Sequence, residues 1–223
     1  DRVAKFLTPK YRVIVPDHIG FGESAHPPDA DYSPAAQAER LHALTSALEI
    51  KEIHLGGSSM GGQIAMSYAV KFRSAVKSLW LIDTAGIWSA PASELRKTIE
   101  ETGNNPLLIR TEDEFAGLFP WVMAEPPFIP RPIMNVLAQE RIRNFDLEQR
   151  IFVPIFDGDG GLNSFVHAAI VHRPPSCEKL APRRLLPGPG DLAGLRAGLG
   201  GTDRIDHGHA GKASHQLLFD RGA

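Results

Sequence analysis

Apolar and polar positions fall into short alternating blocks over the first third of the chain. "YRVIVPD" (residues 11–17) is a β-branched run closed by Pro16 and Asp17, the pattern of a buried strand. "HIGFGESAHPPDADYS" (18–33) is dense in Gly, Pro and Asp and predicts a long loop. Ser33-Pro34 then puts a hydroxyl at an N-cap and a proline in the first turn of a helix. Ala38, Leu41, Leu44 and Leu48 follow at helical spacing and give that helix an apolar stripe. "EIHL" (52–55) predicts a second strand, "GGQIAMSYAVKF" (61–72) a second helix and "VKSLWLID" (76–83) a third strand. Strands alternating with helices at this spacing predict an α/β fold, a mostly parallel sheet flanked by helices.

The rhythm changes after residue 87. "ASELRKTIEET", "TEDEFAGLF" and "PIMNVLAQERIRNF" have helical patterns, separated by Pro-rich turns such as "EPPFIPRP", with no strand pattern among them. An all-helical insert of this kind predicts a cap over the loop edge of the sheet. The expected division is a core over 1–87, a helical cap over 88–155 and an atypical C-terminal part of the core over 156–223. Phe115, Phe119, Trp121 and Phe128 are candidates either for a greasy pocket or for the cap's own core. From about residue 157 the chain becomes rich in Gly, Pro and Arg, as in "HRPPSCEKLAPRRLLPGPGDLAGLRAGLGG". That composition fits a linker or disordered tail, or a coding sequence whose reading frame is damaged. A core of this size nevertheless calls for more than three strands.

Composition narrows the class. Of 223 residues, 43 % are hydrophobic and 22 % charged, as expected of a globular protein with a real core, and the net charge of −2 gives no footprint for nucleic acid or an anionic membrane. The single cysteine, Cys177, permits no intrachain disulfide. No apolar run reaches the roughly 20 residues of a spanning helix. The opening "DRVAKFLTPKYRVIVPD" has no Met and no leader pattern, and it starts in mid-pattern. A fragment lacking its true start is expected, with a cytoplasmic location. There is no H-E-x-x-H and no Cys/His cluster, so neither metal nor cofactor is expected.

The candidate chemistry lies in "HLGGSSMGGQIAMSYA" (54–69). Gly57-Ser58-Ser59-Met60-Gly61 fits G-x-S-x-G with Ser59 at its centre, between a predicted strand and a predicted helix. A residue at such an apex takes a strained backbone, and Gly57, Gly61 and Gly62 keep its surroundings clear. The strain lifts the Ser59 Oγ above the sheet edge at the positive end of the helix. The Met60 N–H then faces a carbonyl oxygen under attack, as half of an oxyanion hole. On this reading Ser59 is the nucleophile and Ser58 is not. A phosphate cradle is the competing use of a Gly/Ser loop before a helix, but the chain has neither G-x-x-x-x-G-K-[ST] nor G-x-G-x-x-G.

With "VPDHIGFGES" and "LWLIDTAG" on either side, the elbow resembles the α/β-hydrolase fold superfamily. "GSSMGG", "LIDTAGIWSAPASEL" and "NNPLLIR" resemble the bacterial lipolytic family V lipases and esterases, with the meta-cleavage C–C hydrolases as near relatives. The resemblance covers residues 1 to about 155. It implies hydrolysis of a small-molecule ester through an acyl-enzyme on Ser59, with C–C bond hydrolysis or an inactive truncated hydrolase-fold protein as alternatives. The family's W-G-x-x-D-R motif maps onto Leu199-Gly200-Gly201-Thr202-Asp203-Arg204, which implies Asp203 as triad acid, although Leu199 replaces the Trp. Asp83, at the end of the third strand, and Asp206, off the motif, are its rivals. His207, His209 and His215 lie too near Asp203 for another strand to intervene, so the catalytic histidine is expected beyond residue 223. "GKASHQLLF" resembles the helix before a missing strand, and His215 would be a surface residue of that helix. The second oxyanion donor is expected on a strand before residue 1. His18 is expected to be a loop residue shaping the site.

Overall fold

The computed structural model describes residues 4–156 and 216–220. A short helix, α1 (Ala4–Leu7), leads into β1 (Arg12–Ile14), which is shorter than the apolar run around it because Val15 and Pro16 leave the ladder. Helix α2 (Pro34–Ala47) starts where Ser33 places it. The Ser33 Oγ accepts from the Ala36 amide at 3.2 Å, and Pro34 occupies the first turn, where its missing N–H has no helical acceptor to lose. Ala38 and Leu41 are buried, and Leu44 and Leu48 are partly buried against the same core, so the predicted stripe is the inward face.

Strand β2 (Ile53–Ser58) runs into helix α3 (Met60–Lys71), and β3 (Val76–Ile82) returns beside β2. The two strands pair in parallel, from Ile53 with Val76 to Ser58 with Ile82, as a helix crossover requires. Helix α3 is buried over most of its surface because it packs on both the sheet and α2.

The strand order is β1-β4-β2-β3, where β4 spans Gln216–Asp220. Strand β4 sits between β1 and β2 and runs antiparallel to both, pairing Val13 and His54 with Phe219. The sheet over the described residues is therefore mixed, with a parallel β2–β3 pair and two antiparallel pairs. Residues 216–219, which belong to the stretch "GKASHQLLF" expected to be helical, are strand instead. Leu218 and Phe219, on opposite faces, are both buried, which suits a central strand covered on both sides. Tyr11, His54 and Phe219 pack their rings across β1, β2 and β4.

Residues 88–156 hold four helices and no strand: α4 (Glu94–Thr102), α5 (Glu112–Val122), α6 (Arg131–Arg143) and α7 (Phe145–Phe156). They do not share one core. Phe115, Leu118 and Phe119 of α5 pack with Ile109 and with Ala138 of α6 in a separate cluster. Ile151, Phe152 and Ile155 of α7 join the main core instead, with Tyr32, Leu41, Leu55, Ile64 and Leu218.

Candidate active site

The stretch 57–62 folds as a turn that only small residues permit. A Cβ on Gly57 would lie 2.2 Å from the Gly61 carbonyl oxygen, so the end of β2 and the start of α3 approach within backbone contact. Ser59 is the hinge, with φ 52° and ψ −121°, a left-handed conformation rarely taken by an L-residue with a side chain. Its side chain makes no capping bond to α3 and is exposed, whereas Ser58 is half-buried in the strand.

The backbone around Ser59 is tied down on every side. Its amide donates to the Ile82 carbonyl at 3.1 Å, and its carbonyl accepts from Gly62, Gln63 and Ala85 at 3.0, 3.3 and 3.1 Å. Met60, the first residue of α3, is buried. The amides of a helix's first turn have no acceptors inside the helix and carry the positive end of its dipole, so an anion beside Ser59 and Met60 would be stabilised there.

The turn after β3 closes over this hinge. Asp83 also has a positive φ, 44°. A Cβ on Gly62 would meet the Thr84 Oγ1 at 2.2 Å, and one on Gly86 (φ 86°) would meet the Gln63 Cγ at 2.7 Å. Neither contact was legible in the sequence, where only the glycines themselves hint at a close approach. Opposite the C-terminal ends of β2 and β3, residues 18–25 form a tight loop: the Phe21 amide donates to the His18 carbonyl at 2.9 Å and the Gly20 amide to the Ala25 carbonyl at 3.0 Å. His18 is buried in this loop. A surface hollow of about 640 Å³ lined by His42, Glu49 and Lys51 lies at the other end of β2, away from Ser59.

Of the candidate site residues, Ser59, Met60 and Asp83 stand together at the C-terminal edge of the sheet, because Ser58 pairs with Ile82. Asp203, Asp206, His207, His209 and His215 lie outside the described residues. The four candidate aromatics of 88–155 divide. Phe115 and Phe119 face each other edge-on at 5.5 Å inside the α5–α6 core. Trp121 and Phe128 are exposed, Phe128 almost fully at 92 %.

Residues 2–126 match the α/β hydrolase fold family. The chain belongs to that family. It is 47 % identical over 157 residues to Lipase 1 of Psychrobacter immobilis, covering 69 % of this chain and 48 % of the relative. Lipase 3 of Moraxella sp. (strain TA144) is 47 % identical over 148 residues, 65 % of this chain and 46 % of the relative. Among solved structures, that of a membrane phospholipase A, a bacterial virulence factor, superposes with a TM-score of 0.58 at 37 % identity, over 62 % of this chain and 44 % of the other. The chain spans about half the length of the curated relatives it matches. No described helix is long and apolar enough to cross a membrane.

Proposed function

We propose that this chain carries the nucleophile of a serine hydrolase acting on carboxylic esters. The observation that carries the reading is the state of Ser59: an exposed hydroxyl at left-handed φ on the hinge between β2 and α3. Its Oγ attacks the acyl carbon and the alcohol leaves. The Met60 amide stabilises the oxyanion formed on the way, and water then releases the acid from the acyl-enzyme. A base must take the hydroxyl proton as the bond forms, and a carboxylate must orient that base. Asp203 is proposed for the carboxylate on its match to the family motif; Asp83 is the alternative among the described residues.

The proposed layout is a core over 1–87, a cap over 88–155 and the remainder of the core beyond. In support, α5 and α6 carry a hydrophobic cluster of their own, with Ile109. Helix α7 packs on the core and is the hinge side of the cap rather than part of its lid. Small-molecule esters are the proposed substrates, in keeping with the lipases it resembles.

A fluorophosphonate probe tests the nucleophile. Ser59→Ala should abolish covalent labelling and Ser58→Ala should leave it within about threefold, since only the apex hydroxyl faces the reacting carbon. Equal loss from both would refute the assignment within the elbow. Turnover of p-nitrophenyl butyrate against that of a vinylogous diketone ring-fission product separates ester from C–C hydrolysis, and a preference for the diketone would overturn the ester reading.

A further inference from the structure

Ser59 holds a conformation that persists only where its surroundings over-determine it. Those surroundings are largely one short stretch. The Ile82 carbonyl takes the Ser59 amide and the Ala85 amide bonds the Ser59 carbonyl, both at 3.1 Å, so residues 82–85 grip the apex from both its polar groups. The stretch itself leaves the strand through the left-handed Asp83.

What sets its height over α3 is a pair of interlocks. The Thr84 side chain fills the hollow left by the missing side chain of Gly62, and Gly86 rests on the aliphatic part of Gln63. The Thr84 Oγ1 also donates to the Ala85 carbonyl at 3.1 Å, which fixes the Ala85–Gly86 peptide, the next one along from the peptide whose amide reaches Ser59. Gly62 and Gln63 in turn donate to the Ser59 carbonyl from below. The apex is thus held between the first turn of α3 and a turn keyed into that helix.

We propose that residues 83–86 clamp Ser59 at its strained apex and that Thr84 is the positioning residue of the clamp. The consequence for catalysis rests on the reading of Ser59 as nucleophile; the clamp itself does not. Without the Thr84 wedge the turn settles towards Gly62, the Ala85–Ser59 bond is lost and the apex relaxes to an ordinary backbone conformation. The Oγ then leaves its attacking position. Thr84 is not placed on the substrate, so kcat should fall while KM changes little.

The test reads strain and chemistry separately on the full chain. Glycine takes a positive φ without steric cost and alanine does not, so Ser59→Gly should melt above Ser59→Ala by roughly 2–6 °C. In a Thr84→Gly background that gap should shrink to below about 1 °C, and Thr84→Ser should restore it. Where Thr84→Gly does not fold, Thr84→Ala is the background for the same comparison. A gap that survives loss of the wedge overturns the clamp, even if every variant melts lower. In the second arm, Thr84→Gly with Ser59 intact should slow fluorophosphonate labelling by about 100-fold, as a displacement near 1 Å does, with Thr84→Ser within a few-fold of the parent. Unchanged labelling of folded Thr84→Gly would also overturn the proposal. A parent that does not label at all with its flanking sequence intact would sink the nucleophile reading, and the melting gap would still decide the clamp.

Discussion

Single residues bear much of the local definition around the core. Glu49 ends α2 at φ 57°, where its amide donates to the Ser46 carbonyl at 3.0 Å and the Ile50 amide reaches back to Thr45 at 2.9 Å. That is a Schellman ending, in which the left-handed position favours glycine. Glu49→Gly should therefore stabilise the chain by about 0.5–1 kcal/mol in chemical denaturation, the cost of a Cβ at positive φ being removed. At the other end of the helix, Ser33→Ala should cost about 1 kcal/mol in the same measurement, because the Ala36 amide loses its acceptor. Asp31 props up this cap. The Ser33 amide donates to its Oδ1 at 2.8 Å, and this bond holds the Asp31 carboxyl below its ordinary value of 3.8. A lowered carboxylate stabilises the fold above the unfolded value, and that contribution is lost as pH falls through the folded one. The melting temperature should thus decline below about pH 4, and Asp31→Asn should flatten that part of the profile.

Among the elements, α6 and α7 are joined by a half-buried ion pair that the amphipathic pattern does not announce. Arg141 bonds Glu148 through Nε and Nη2 and also donates from Nη2 to the Leu107 carbonyl at 2.8 Å, so three segments meet at one guanidinium. Burial pushes the Glu148 carboxyl up, against the pull of Arg141. A raised carboxyl means the folded chain binds the proton more tightly, so this contribution favours folding at acid pH and fades as pH rises through the folded value. Removing one partner leaves the other half-buried and short of its hydrogen bonds. Arg141→Ala should destabilise by about 1–3 kcal/mol, and Arg141→Met with Glu148→Leu should recover most of it, read by denaturant unfolding. The exposed pairs Lys97–Glu94 and Lys77–Glu52 should matter far less, since solvent screens them.

At the scale of the molecule, β4 is the piece that makes one sheet out of two. Strand β1 is joined to the rest of the sheet through β4, and the fully buried Leu218 is the centre of that joint. Leu218→Ala should cost about 2–4 kcal/mol by the usual cavity argument. Deleting residues 216–223 should go further and expose the faces of Leu55 and Tyr11, which dye binding and loss of a cooperative melt would register. Strand β3 is the edge of the sheet among the described residues, with Trp80, Leu81 and Ile82 partly exposed on both its faces. Its C-terminal end, where Ile82 grips Ser59, is nonetheless well fixed by the parallel pairing with β2.

The features decided by neighbours in sequence were legible without coordinates. The Ser33-Pro34 start of α2, the β2–α3 elbow and the helices of 94–143 depend on capping, glycine placement and periodicity, all of which act within a few residues. Ser59 could be singled out from Ser58 for the same reason: the glycines at 57, 61 and 62 mark one apex. Periodicity, however, tells which face of an element is apolar and not which element will cover it. Hence no pattern singled out α7, which joins the main core, and Phe115 and Phe119 fitted a pocket as well as the α5–α6 core they form. Thr84 lies 25 positions from Ser59, and nothing local shows that its side chain enters the hollow at Gly62. Strand β4 is the extreme case, because its place and direction are fixed by the open hydrogen-bonding edges of β1 and β2, more than 150 residues away in the chain.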